Sequence, residues 1–211
     1  MSSRHIMADR FDYPTGRWRM GAGRGVWSVV FDGYGWVGIK PRSRNELTLM
    51  PGTATRPQET HASLVVSRTR YEDFTMTAVA ATARQLRVAS APNPWETAWL
   101  VWHYIDNTHF YYLALKTNGW ELGKADPAYA GAQRFLATGT SPRARIGRTD
   151  DVRISQRGAI TMVWIDGEHV VTFTDQERPY RGGRIGFYTE DAEVRFSDVV
   201  IDSFVNPHEA K

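Results

Sequence analysis

Apolar residues in this chain recur at every second position in short runs, and the three-and-four spacing of an amphipathic helix is almost absent. The runs are rich in Val, Ile, Thr, Tyr and Trp and are broken by Gly, Pro, Asn and Asp. This pattern predicts strands near 26–31, 35–40, 46–50, 61–68, 73–83, 97–105, 109–117, 119–123, 151–156, 159–166, 168–174, 183–189 and 192–202. So many short strands, with no repeat and no linker between them, predict a single all-β sandwich or barrel. The domain is expected over residues 11–205, between a leader at 1–10 and a tail at 206–211.

The turns support the reading. Asp166-Gly167 separates two apolar runs as a hairpin turn does. Asn118-Gly119 turns a strand toward Trp120. The long connections are Gly52 to Glu59 and Lys124 to Arg148, and such loops in a sandwich border a binding face.

The hairpin over 95–123 carries the most chemistry. With Asn107-Thr108 as a two-residue turn, His103 faces Tyr112, Val101 faces Ala114 and Trp99 faces Lys116. A turn at Asp106-Asn107 would set Trp99 against Ala114, and the first register is preferred. One face then carries Trp99, Val101, His103, Tyr112, Lys116 and Asn118. The other carries Ala98, Leu100, Trp102, Tyr104, Tyr111, Leu113 and Leu115 and is the core side. Large rings beside a His, a Lys and an amide suit a sugar-binding groove, because rings cover the apolar faces of pyranoses while polar tips bond hydroxyls.

Composition narrows the classes. With 211 residues and 42% apolar content the chain builds one packed core. No apolar run approaches the length of a membrane span. The absence of cysteine removes disulfides, Cys-ligated zinc and cysteine nucleophiles. The 8 Trp, 9 Tyr and 9 Phe suit a β-rich protein with an aromatic binding face. The net charge of +3 is scattered, which argues against nucleic acid and supports at most a preference for acidic polymers. No apolar segment within Met1 to Arg10 reads as an intact signal peptide, and Ser2 to Met7 resembles a vector-derived leader. The expectation is a secreted monomer whose own signal was replaced.

The segment Ile160 to Phe173 with its Asp166-Gly167 turn, then Gly183-Arg-Ile-Gly-Phe-Tyr188, then Ala192-Glu-Val-Arg-Phe-Ser-Asp-Val-Val-Ile201, resembles the concanavalin A-like lectin/glucanase superfamily. The resemblance implies a two-sheet β-jelly-roll sandwich with a concave ligand-binding sheet. Three groups within it compete. The glucanase-like hydrolases carry alternating Glu, Asp and Glu on one strand, and no such string occurs; Thr189-Glu190-Asp191-Ala192-Glu193 looks like a turn. The jelly-roll polysaccharide lyases, glucuronan lyase-like members included, cleave uronic-acid chains by β-elimination. Domains of the 3-keto-disaccharide hydrolase type and carbohydrate-binding modules fit the closing strands equally.

The lyase resemblance is preferred, with an acidic polysaccharide such as glucuronan as partner. It implies His103 as base, with His61 a second candidate, and Tyr112 or Tyr188 as the acid at the leaving oxygen. Lys116 and Asn118 would neutralise the uronate carboxylate, Glu121 would bind substrate and Trp99 would be a stacking platform. The superfamily also implies a structural calcium, for which Asp32 and Asp202 are the candidate ligands. No organic cofactor is expected.

Overall fold

The computed structural model describes residues 3–41, 45–88 and 90–204. Seventeen strands follow one another with one short 3-10 turn, Ala130–Ala132. They are β1 (Ser3–Asp9), β2 (Gly16–Arg17), β3 (Gly23–Arg24), β4 (Trp27–Phe31), β5 (Trp36–Ile39) and β6 (Leu47–Met50). Then come β7 (Ala62–Tyr71), β8 (Phe74–Gln85), β9 (Trp99–Asp106), β10 (His109–Lys116), β11 (Gly119–Ala125) and β12 (Gln133–Gly139). The last are β13 (Thr149–Arg157), β14 (Ile160–Ile165), β15 (Glu168–Thr174), β16 (Gly183–Glu190) and β17 (Ala192–Phe204).

They form two antiparallel sheets, the jelly-roll sandwich expected. One has eight strands in the order β12-β11-β10-β9-β16-β7-β4-β3. The other has nine, in the order β15-β14-β13-β8-β17-β6-β5-β2, with β1 pairing β17. Alternation decides what lies between the sheets. On β16, Ile185 and Phe187 enter the main core, where Phe187 stacks on Phe196 of β17 at 4.2 Å. Ala98, Leu100, Trp102, Tyr111, Leu113 and Leu115 point into the same core, as the hairpin pattern predicts. The opposite face of the eight-stranded sheet carries a second cluster of Leu64, Val66, Trp99, Val101, Tyr104, Tyr112 and Ala114. This doubly apolar sheet is what places the site.

The hairpin turn does lie at Asn107-Thr108, with His109 opposite Asp106. Further along, Tyr112 pairs with Val101 and Ala114 with Trp99, so the register is the one the sequence reading set aside. A bulge at His103, whose φ is +47°, shifts it. Both registers keep the same faces because they differ by two residues. The bulge instead exchanges two neighbours: His103 turns inward and Tyr104 joins the outer cluster. Gly183 permits it, since a Cβ there would lie 2.3 Å from the His103 carbonyl carbon.

Residues expected as a leader form strand β1. Met7 joins the core, and the buried Asp9 accepts from the Phe11 amide, the Tyr13 hydroxyl and the Trp27 indole. The connection from Lys124 to Arg148 holds a further strand, β12. The expected tail at 206–211 lies outside the described residues.

Candidate active site

Above the outer apolar cluster lies a cleft of about 680 Å³. Its floor is Trp99, Tyr112 and Tyr188, from three adjacent strands. Trp99 stacks on Tyr112 at 4.8 Å and meets Tyr188 edge-on at 5.1 Å. Tyr112 lies across Gly123, its pairing partner on β11, where a Cβ would be 2.1 Å from the phenol oxygen. Only glycine leaves room for that ring. Lys116 and Glu121 close one end, Glu190 stands beside Tyr188, and Gln133 and Phe135 of β12 form a wall. Trp95, on the approach to β9, is 41% exposed and Phe135 is 62% exposed, so both offer free aromatic surface to a ligand.

Two polar networks face each other across this floor. Glu121 accepts from the Tyr112 hydroxyl at 3.0 Å and from the Lys116 ammonium at 2.9 Å. Gln133 donates its amide to the same Tyr112 oxygen. Burial, then the Glu121 charge, raises the Tyr112 pKa and keeps the phenol protonated. On the other side Tyr188 donates to Glu190 at 2.6 Å. Burial raises the Glu190 pKa, against the Tyr188 and Trp95 hydrogen bonds that lower it; Asp191 and Glu96 push it further up. Burial likewise holds Tyr188 well above the usual phenol range. The cleft therefore holds a carboxyl group whose pKa is raised and, apart from it, a carboxylate paired with an ammonium group.

Of the residues proposed from sequence, the structure brings together Trp99, Tyr112, Tyr188, Lys116 and Glu121. It does not bring the histidines there. His103 is fully buried, with Nδ1 2.8 Å from the Tyr180 carbonyl and Nε2 2.8 Å from the Glu72 carbonyl. Both nitrogens are occupied away from the cleft, so His103 cannot be its base. His61 lies outside the lining, held by the Gly52 carbonyl and Glu59. Asn118 is exposed in the turn after β10 and does not line the cleft. Trp99 is only 6% exposed with its ring already stacked, so it is floor and not platform.

Asp32 and Asp202 do not make a calcium cradle. Asp32 is engaged by Arg17 at 2.6 Å and by the Tyr34 amide, and Asp202, on the other sheet, faces His5. Among the described residues no group of three or more His, Cys, Asp or Glu side chains comes together to hold a metal ion.

The cleft residues that sequence reasoning missed are Glu190, Trp95, Gln133 and Phe135. For Glu190 the signal was present: two positions after Tyr188 on a strand, it shares that residue's face. Gln133 and Phe135 gave none, because the partly exposed edge strand β12 lacks alternation.

Several solved structures share this architecture. The carbohydrate-binding module CBM66 from Bacillus subtilis aligns at 15% identity over 90% of this chain and 100% of its own, with a TM-score of 0.64. The GH43 protein BlXynB from Bacillus licheniformis aligns at 13% identity over 93% of this chain and 39% of its own, with a TM-score of 0.61. The laminarinase catalytic domain from Thermotoga maritima aligns at 8% identity over 98% and 100% of the two chains, with a TM-score of 0.61. At these identities the agreement is one of fold. No curated protein matches the sequence. The profile of the family described as 3-keto-alpha-glucoside-1,2-lyase-like domain matches residues 26–202, most of the sandwich and every residue of the cleft, and the chain belongs to that family.

Proposed function

We propose that the cleft binds a 3-keto-glucoside and eliminates the group at C1 across the C1–C2 bond. The observation that carries this reading is Glu190, a half-buried carboxyl whose pKa is raised, beside Tyr188 on the floor of an aromatic-walled cleft in a domain of this family. A ketone at C3 acidifies the C2 proton, so a carboxylate suffices as base. Glu190 takes that proton, and the electron pair forms the C1–C2 double bond through an enolate at O3. The bond from C1 to the leaving oxygen then breaks, and the proton passes from Glu190 to that oxygen. The products are an unsaturated 3-keto sugar and a free alcohol. Lys116, paired with Glu121, supplies the positive charge for the enolate oxygen, and a base whose pKa is raised matches the task better than an ordinary surface Glu. Trp95 and Phe135 stack on the sugar.

A uronate chain suits this cleft less well. Among the described residues lining it, the cation is Lys116, already paired with Glu121, and a second acid, Glu190, stands on the floor. A polymer with a carboxylate on every sugar would meet acid there.

The test is a substrate panel followed by ultraviolet absorbance and product analysis. A nitrophenyl 3-keto-α-glucoside is expected to release its phenol with appearance of a conjugated enone, while the unoxidised glucoside and glucuronan are untouched. Cleavage of glucuronan with an unsaturated product would overturn the assignment in favour of a uronate lyase. Saturable binding of 3-keto-glucoside without consumption would reduce the protein to a binding module.

A further inference from the structure

The outer face of the eight-stranded sheet continues past the cleft. On β16 the outward positions run Glu190, Tyr188, Gly186 and Arg184, so Arg184 stands about 20 Å from Glu190 along the strand. Between them the face is apolar, closed by Val66 and Val101, whose side chains leave no space for a Cβ at Gly186. A small recess lined by Leu64, Val101 and Tyr104 shares Asn107, Phe110 and Tyr188 with the cleft. Tyr104, which lines that recess, pairs across the sheet with Arg184.

At its far end charge is left over. Arg184 pairs directly across the sheet with Arg70, two guanidinium groups on opposed positions of neighbouring strands. Like charges placed directly opposite are destabilising unless something neutralises them. Among the described residues no carboxylate lies within ion-pairing distance of either, although such pairs are frequent elsewhere among them. The Arg70 guanidinium donates to the Gly182 backbone carbonyl at 3.3 Å. Beside it opens a depression of about 450 Å³ lined by Arg70, Arg181 and Glu72, with the Gly182-Gly183 backbone between them. Glu72 is the opposing charge there.

We propose that Arg70 and Arg184 form a binding site for an anionic group, a carboxylate, sulfate or phosphate, carried by the ligand whose sugar occupies the cleft. This rests on the reading of the cleft as a glycoside site and extends it: the leaving group is a long one, with its negative charge far from the reacting bond. Guanidinium forks suit all three anions by bidentate hydrogen bonding. The arrangement separates two tasks. The acid-lined cleft takes the neutral keto-sugar, and the arginine pair takes the charge.

The site is tested by binding, without turnover. Calorimetric titration with inorganic sulfate and with inorganic phosphate at low, matched ionic strength is expected to give saturable binding in the wild-type protein. R184Q and R70Q should each weaken it about tenfold. R148Q removes the same charge from an exposed arginine on another part of the surface and should leave it intact. Absence of saturable binding in the wild type, or equal weakening by R148Q, would overturn the site. A second series, using glycosides that end in a carboxylate, a sulfate or a phosphate, names the source by which one binds tightest and loses most in R184Q. Elimination from an uncharged 3-keto-glucoside does not depend on these arginines. Failure of the anion site therefore leaves the cleft reading standing, and failure of the elimination leaves the anion titration to be judged alone.

Discussion

Glu190 and Asp191 are neighbours in sequence and do opposite things. Asp191 takes a left-handed conformation, φ +43°, at the reversal between β16 and β17, and its carboxylate turns to Arg87 at 2.7 Å. Glu190 remains on the strand and faces the cleft. A base with a pKa raised by burial works only above that pKa, so the acid limb of the rate profile should lie above the ordinary Glu range. The Tyr188 hydroxyl holds the Glu190 pKa down in part. Y188F should therefore move the acid limb to higher pH while activity at alkaline pH falls less; a limb that stays in place would remove Glu190 as the titrating base. The pair of adjacent acids is half legible in the sequence: the turn at Asp191 is there, and strand alternation puts Glu190 beside Tyr188. The role of Asp150 was not. It is buried, and burial first, with Asp166 and Asp151, raises its pKa to about 6, while Arg145 pulls the other way. The folded state then keeps a proton that the unfolded chain has already lost, so stability falls as pH rises from the usual Asp value to about 6 and stays lower above it. D150N should raise Tm at pH 7 to 8 by about 2–4 °C, the equivalent of about 1 kcal/mol, and the gain should vanish below the usual Asp value. A gain that is the same at every pH would mean the substitution acts through packing.

Elements are tied together by charges that a pattern of apolar residues cannot reveal. Arg87, just after β8, reaches Glu96 before β9 at 2.6 Å and Asp191 at the β16–β17 reversal, all fully buried. Asn93 adds a hydrogen bond to the same Glu96 oxygen. This cluster sets the connection that carries Trp95 and backs the strand end that carries Glu190. Removing one partner leaves the others charged and buried, so R87A should lose about 3–5 kcal/mol in denaturant unfolding, and a loss near zero would show the cluster to be wet and dispensable. Strands with one buried and one solvated face were legible to within a few residues, as over 160–165 and 168–174. Strand β12 was not, because it lies at an edge with partly exposed residues on both faces. Strand β1 was masked by its position ahead of the first strong alternation, although Met7 and Asp9 are among its buried residues. The His103 bulge shows the limit of a period-two reading: two extra residues in β9 leave the faces of Trp99 and Val101 unchanged and reverse those of His103 and Tyr104.

At the scale of the molecule, the two sheets divide the work. The nine-stranded sheet and the inner face of the eight-stranded sheet enclose the main core, which includes Trp27, Trp102, Phe187 and Phe196. The outer face of the eight-stranded sheet is also apolar, and that second apolar face becomes the cleft floor. The jelly roll could be read from turn chemistry and alternation because those are local. The cleft chemistry could not be read whole, because its acid, its ammonium and its aromatic wall come from β16, β10 and β12, which only the folded sheet brings together. Glu190 is the proposed base of an elimination. The direct measurement is the rate of phenol release from a nitrophenyl 3-keto-α-glucoside by the wild-type protein and by E190Q, with folding of both checked by thermal unfolding. With Glu190 as base, release by the wild type and a fall of about 100-fold or more in E190Q at unchanged fold are expected. Equal rates in the two proteins, or no release by the wild type, would contradict it.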